Sequence, residues 1–362
     1  MTFVLAAVLA WAYLLLFHGR FWHAGPVLAP ARPAQMPPVA AIVPARDEAE
    51  VVDAAAASLA AQDVPLHVVV VDDGSSDATA AIARRHATVI AGTPRPAGWA
   101  GKLWAVQQGI AATHEPWLLL TDADILHAPT HLATLMAQAE RTGADLVSEM
   151  VLLNCTSAAE RMLVPAFVYF FQLLYPFARV NDPRSRVAGA AGGTMLVRRA
   201  ALERIGGIGA IRGALIDDVA LATAIKRGGR VWLGHSGLAR SIRPYPHAAD
   251  IWRMIARSAY VQLRHSPLLL LATLVGMALI FWTPLLAALF GAGVLRALGA
   301  IAWLAMAGSF VPTLRRYGLS PLRALLLPFV TTFFMAATAA SAFDHHRGRG
   351  VVWKRRAYER GV

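Results

Sequence analysis

The apolar run Leu118, Leu119, Leu120 ends in TDAD, which sets Asp122 and Asp124 one alanine apart. Residues two apart in a strand point to the same side, so both carboxylates could face one cation or phosphate beyond a sheet edge. Their hard oxygens suit Mg2+ or Mn2+, an ion that neutralises charge on a departing diphosphate. The plainer alternative is a solvated turn capping the next helix, where Asp is common. A second acidic pair stands in VVVVDDGSSD, residues 68–77. Asp77 is explained as an N-cap, and Gly74 permits the tight turn. Asp72 and Asp73 are not so explained, because a buried strand end disfavours paired charges without a partner. A carboxylate there could accept the N3–H of a uracil ring or ribose hydroxyls.

Further along, GWAGK places Lys102 at a helix start, where it could meet a phosphate. In LIDDVALATAIK a helix opens on Asp217 and Asp218. Acids in a first turn stabilise the helix dipole, and the same pair at the mouth of a cleft could hold a general base. Before it, AGGTMLVRR reads as a turn at Gly192 and Gly193 followed by a strand.

The elements that must position these groups alternate. Short β-rich runs (VAAIV, HVVVVDD, TVIAG, WLLLTDAD) are separated by helical patterns near 50–61, 77–86 and 102–113. Such alternation predicts an α/β fold with a mostly parallel sheet, in which ligands bind at the carboxyl ends of strands. ARDE at 45–48, DDGSSD at 72–77 and TDAD at 121–124 all fall at those ends.

Composition adds a membrane. The 362 residues are 57% hydrophobic and only 15% charged, against about 25% charged in ordinary soluble domains. The excess lies in residues 3–17 and 268–343, which leaves residues 38–265 as the soluble part. The expected division is a transmembrane anchor at 1–18, a Pro/Ala-rich linker at 19–38, a catalytic domain at 39–247, an amphipathic interfacial helix at 248–266, transmembrane helices within 267–343 and a basic tail at 344–362. A second interfacial helix is expected at 162–177. No positive charge precedes the first apolar run, whereas Arg20, Arg32 and Arg46 follow it, which favours an uncleaved anchor and a cytoplasmic middle domain. The net charge of +12 is read as meeting anionic headgroups rather than nucleic acid, because Arg253, Arg257, Arg264, Arg347, Arg349, Lys354, Arg355 and Arg356 flank apolar segments. The lone Cys155 allows no intrachain disulfide, in keeping with a reducing compartment. Spans at 268–290, 297–314 and 324–343 make three crossings, which would put the tail opposite the catalytic domain, while the positive-inside tendency keeps it alongside.

Taken in order and spacing, VPARDE, VVVVDDGSSD, GWAGK, TDAD, GGTMLVRRAALERIGG and DDVALA resemble the family-2 inverting glycosyltransferases of the GT-A fold. Among these, the chain is most similar to the membrane-bound lipid enzymes of the hopene-associated group. The resemblance implies a GT-A nucleotide-diphospho-sugar transferase fold with an N-terminal anchor and C-terminal membrane helices. It implies that Pro44, Ala45, Arg46, Glu48 and Lys102 line the nucleotide-sugar site and that Asp73 hydrogen-bonds the base. Asp122 would contact the nucleotide sugar and share a Mg2+ or Mn2+ ion with Asp124. Asp218 matches the acid that serves as base, while Asp217 departs from the family's usual Glu. Gly192, Gly193, Gln262 and Arg264 would lie toward the acceptor. RSAYVQLRHS lacks the tryptophan of the family's Q-x-x-R-W motif, so single-sugar transfer is expected rather than polymerisation. The activity so implied moves one sugar from a nucleotide-diphosphate donor, UDP-linked, to a lipid hydroxyl such as a hopanoid's at the cytoplasmic face of the inner membrane. The competing readings are another lipid or polyprenyl phosphate acceptor, a sugar nucleotidyltransferase, and a non-catalytic membrane scaffold or transporter with a degenerate domain. No G-G-x-G-T-R loop supports the nucleotidyltransferase.

Overall fold

The computed structural model describes residues 1–347 and, beyond them, only the backbone of the short strands Val352–Trp353 and Arg356–Ala357. Arg349, Lys354 and Arg355, expected at headgroups, lie outside the described residues. Two compact units divide the chain: residues 26–154 with 179–244, and residues 1–25 with 155–178 and 245–347.

The first unit is built on an eight-stranded sheet. Its strands are β1 (Val39–Ala45), β2 (His67–Asp72), β3 (Thr88–Ala91), β4 (Trp117–Thr121), β5 (Ile125–His127), β6 (Leu146–Leu152), β7 (Thr194–Arg198) and β8 (Val231–Ser241), in the order β3-β2-β1-β4-β7-β6-β8-β5. The first four pair in parallel, as expected of strands joined by helical crossovers. The other half is mixed, because β7 runs antiparallel to both β4 and β6, and β5 antiparallel to β8. β1 is buried along its whole length and Val68–Val71 of β2 are buried too, as near-continuous apolar strands require when both faces are covered. Val43, Val70, Leu119, Leu132, Val147 and Leu196 belong to the core between the layers. This is a GT-A-like mixed sheet of Rossmann-like type.

Two local expectations change. β4 stops at Thr121, so Asp122 and Asp124 lie in the turn before β5 rather than on one face of a strand. The helix after Asp77 is a single short turn, Thr79–Ala83.

The second unit is helical. Among the described residues three of its helices are long and apolar enough to cross a membrane: Pro267–Phe290, Gly293–Arg316 and Pro321–His346. The N-terminal apolar helix, Thr2–Leu16, has 15 residues, about 22 Å of helix against a hydrocarbon core of about 30 Å. The segment expected as one interfacial helix after residue 247 forms Ala248–Ala256 and Ala259–Gln262. Ile251 and Ile255 of the former are buried while the Arg253 side chain is 75% exposed, an amphipathic division. The aromatic helix Ala158–Leu174 starts on a Ser157/Glu160 capping box. It is packed within the helical unit rather than laid on a surface. Its Tyr169 is fully buried and hydrogen-bonds Ser309 at 2.7 Å, and Phe170 meets Phe281 edge to ring and Phe334 at a tilt. The aromatic residues that read as a lipid-facing set are thus matched by rings of the long helices.

Candidate active site

At the carboxyl end of β1 the chain turns through Arg46 and Asp47, and Asp47 takes φ 48°, a left-handed conformation that Asp tolerates better than most residues. Arg46 hydrogen-bonds the carbonyl of Asp73 and stands 3.6 Å from its carboxylate, which is 3% exposed. A buried charge after a strand of valines therefore has a partner. Asp72 turns away and accepts from Ser75, and Asp77 accepts from Thr79 and from the Ala49 amide at 3.1 Å. The acids of this loop thus shape the turn, and the arginine pairs with Asp73 and stands 3.9 Å from Asp47.

Lys102 sits in the first turn of the helix Gly101–Ala111 and joins two acidic clusters far apart in sequence. Its Nζ lies 2.9 Å from Asp122 Oδ1 and 3.2 Å from Asp217 Oδ2. Lys102 is held in the charged state by Asp122 and Asp217 against burial, which acts in the opposite direction. Burial likewise raises the Asp122 pKa, opposed by Lys102.

Asp217 and Asp218 open the helix Asp217–Lys226, as expected. Asp218 Oδ2 accepts the Gly192 amide at 2.8 Å, and Oδ1 accepts the Val219 amide at 2.8 Å. A β-carbon on Gly192 would stand 3.3 Å from Asp218 Oδ2, so the glycine allows the backbone this close. Burial, then the charge of Asp217, pushes the Asp218 pKa up to about 7, with Lys102 and the two amides opposing. A carboxylate poised there can take a proton at neutral pH. Pro44, Lys102, Asp122, Gly192 and Asp217 line one cavity.

Asp124 looks elsewhere. Its Oδ2 accepts from Ser241 at 2.7 Å and lies 3.4 Å from Arg243 Nε, while Arg243 Nη2 grips both Glu48 oxygens at 2.7 and 2.8 Å. Glu48, Asp124 and Arg243 therefore form one ionic cluster. Sequence reasoning found the two acids and missed Arg243, which lies 195 positions from Glu48 with no motif to link them. Among the described residues no group of three or more His, Cys, Asp or Glu could hold a metal ion. Among the described residues Asp122 and Asp124 are the hard-oxygen pair of this turn, Asp122 paired with Lys102 and Asp124 with Ser241 and Arg243. That set fits an ion bound through one or two carboxylates and completed by the phosphates of a substrate, the habit of Mg2+, and not a caged resident metal.

Gly193 lies at the same turn, where its carbonyl accepts from the Asp122 amide at 3.2 Å. Gln262 and Arg264 belong to the helical unit, where Gln262 accepts from Tyr175 Oη at 2.7 Å and Arg264 is exposed.

Residues 40–206 match the family model described as glycosyl transferase family 2. The 4,4'-diaponeurosporenoate glycosyltransferase of Staphylococcus aureus (strain MRSA252) is 37% identical over 86 residues. That stretch covers 23% of this chain and 23% of the relative, so the chain aligns with less than a quarter of the curated protein's length. The fold is similar to that of the mannosyltransferase PcManGT from Pyrobaculum calidifontis, solved with GDP-Man and Mn2+. The two share 22% identity at a TM-score of 0.59, over 96% of this chain and 99% of that one.

Proposed function

We propose that the protein transfers a single sugar, with inversion, from a nucleotide-diphosphate donor to a lipid hydroxyl at the cytoplasmic face of the inner membrane. The observation that carries the reading is the Lys102 bridge. One ammonium links Asp122, in the acidic turn suited to a diphosphate, with Asp217, beside the raised-pKa Asp218. Donor-binding and base chemistry thus meet in one cleft at the carboxyl ends of the strands, where ligands of such sheets bind.

In this reading Pro44, Ala45, Arg46 and Glu48 line the nucleotide, and Asp73, held by Arg46, accepts from the base. Lys102 and Asp122 orient the diphosphate and sugar. Asp122 and Asp124 would hold Mg2+ or Mn2+, which supplies charge neutralisation on the leaving diphosphate. Asp218 removes the acceptor's hydroxyl proton as that oxygen attacks the anomeric carbon from the face opposite the departing diphosphate. The carbon–oxygen bond to the acceptor forms, the bond to the diphosphate breaks, and no covalent enzyme intermediate is needed. Gly192 and Gly193 keep the acceptor side of the base open.

The lipid acceptor is supported by the three long apolar helices. Gln262 and Arg264 are proposed to face it, and a hopanoid hydroxyl is the acceptor the motif resemblance favours. The donor is taken as UDP-linked, although GDP-Man in PcManGT makes a guanosine donor the specific alternative. The test is full-length protein with Mn2+ or Mg2+, a panel of UDP- and GDP-sugars and bacterial lipid extract, read by mass spectrometry. One sugar added to a lipid is expected. Donor binding with no transfer or hydrolysis from any donor would return the chain to a non-catalytic scaffold.

A further inference from the structure

Beneath the cleft lies a line of buried polar side chains that the proposed chemistry does not use. Glu149 Oε1 lies 2.8 Å from His131 Nε2, His131 Nδ1 lies 2.9 Å from His127 Nδ1, and His127 Nε2 lies 3.1 Å from Thr121 Oγ1. Thr121 Oγ1 then reaches the Gly193 carbonyl at 2.8 Å. Glu149 and His131 are fully buried, and Thr121 and His127 are 2% and 5% exposed. We infer that Glu149, His131 and His127 are positioning residues which, through Thr121, hold the Gly192–Gly193 turn with a one-way chain of hydrogen bonds carrying one proton more than a carboxylate with two neutral imidazoles.

The direction follows from the last acceptor. A carbonyl oxygen only accepts, so the single hydroxyl proton of Thr121 points to Gly193, and Oγ1 must accept from His127 Nε2–H. His127 is neutral, because burial and then the neighbouring His131 lower its pKa well below the usual value. Its one N–H is therefore on Nε2, and its Nδ1 accepts from His131 Nδ1–H. Between His131 Nε2 and Glu149 Oε1 one more proton is required, since two bare lone pairs would otherwise face each other. Glu149 Oε2 is buried and has no hydrogen-bond partner among the described residues. Leaving a neutral acid's carbonyl oxygen unpaired costs less than leaving a carboxylate oxygen unpaired, which places the extra proton on Glu149.

The chain ends at the turn that touches both acid clusters. Gly193 O also accepts the Asp122 amide at 3.2 Å, and the Gly192 amide donates to Asp218 at 2.8 Å. The link to turnover rests on the reading of Asp218 as the base.

The first measurement is 15N NMR of histidine-labelled full-length protein in detergent, assigned with His127 and His131 variants. The Nε2–H tautomer at His127 and protonated Nδ1 at His131 are expected, and an Nδ1–H tautomer at His127 overturns the inference. The second compares Glu149→Gln, whose amide can still donate to His131, with Glu149→Leu, which cannot. Glu149→Gln should keep kcat within about threefold, while Glu149→Leu should lower it about 10- to 100-fold with donor KM little changed, the scale of a misplaced catalytic group. Thr121→Val, nearly isosteric, serves in place of Glu149→Leu if the latter does not fold. Equal losses in the Gln and Leu variants, or no loss in Thr121→Val, overturn the positioning role. Full activity in Asp218→Asn would strike the base reading alone, because the tautomers are measured without turnover.

Discussion

At the scale of single residues, the acids of the cleft are distinguished by their surroundings. Asp217 is paired with Lys102, whereas burial and then the charge of Asp217 push the pKa of Asp218 up to about 7 against its two amide donors and Lys102. A folded-state pKa above the usual carboxylate value means that folding favours the protonated acid, so the stability Asp218 contributes is present at low pH and is lost as pH rises from the ordinary carboxylate range through about 7. Catalysis has the opposite sign, since a base must be ionised. The kcat/KM profile is expected to rise with pH through an acid limb near 7. Asp217→Asn should move that limb to lower pH by removing a repelling charge, and a limb unchanged by Asp217→Asn would dissociate it from Asp218. Asp218→Asn keeps size and hydrogen bonding but cannot take a proton, so turnover should fall roughly 100- to 10,000-fold with donor binding, followed by calorimetry, intact. For the ion, Asp124→Ala should abolish metal-stimulated turnover while the melting temperature stays within a few degrees, and full activity of that variant with a chelator present would remove the metal role. The acids themselves were legible in the sequence because charges beside buried strand ends demand partners. Which partner each has was not, as Glu48 and Arg243 meet only through the fold.

At the scale of elements, the site is a set of strand and helix ends brought together by one turn. The helices Gly101–Ala111 and Asp217–Lys226 present their first turns to the cleft, so Lys102 is placed against Asp217 by the ends of two elements. At the far end of the second helix, Lys226 Nζ donates to the carbonyls of Arg179, Val180 and Val187, fastening the stretch that leads into the glycine turn. The turn itself admits no side chain without adjustment. Gly192→Ala sets a methyl 3.3 Å from Asp218 Oδ2, which should swing the carboxylate by a few tenths of an ångström and lower kcat about tenfold with donor KM preserved. A rise in donor KM at unchanged kcat would assign the turn to donor binding instead. The alternation of strands and helices was readable from hydrophobic period, yet the mixed half of the sheet was not. A strand of three residues such as β5 carries too little pattern to announce itself, and the antiparallel entry of β7 depends on pairing with β4 and β6. The pair His127 and His131, at i and i+4, was visible and passed over, because its meaning needs Glu149 from another strand.

For the whole molecule, the open question from the sequence was on which side the basic tail lies. Three full crossings in series would separate the end of the third long helix from the start of the first. Within the helical unit these two ends meet. His265, just before the first long helix, stacks on His345 at 4.2 Å, and Tyr260 Oη lies 3.3 Å from His346 Nε2. Farther along, Trp282 donates to Thr332 at 2.9 Å and packs on Phe329. The first and third long helices therefore run antiparallel, in register over some 14 to 17 residues, or about 20 to 25 Å. The chain between them must leave and regain one end of that pair, so Gly293–Arg316 with its short return contributes no net crossing. Trp303, near the middle of that helix, donates to Leu325 O at 3.4 Å, where the return rejoins. Between residues 26 and 266 no described helix is long and apolar enough to cross. The end of the third long helix is accordingly expected on the same side as the start of the first, as the positive-inside tendency also requires of Arg264 and Arg347. A reporter inserted after Pro30, an exposed position, and one fused to the C-terminus should both score as cytoplasmic in intact cells. A C-terminal reporter on the opposite side from the Pro30 insertion would mean that all three helices cross, and that the antiparallel contacts of His265 and Trp282 are not those of the membrane-inserted protein.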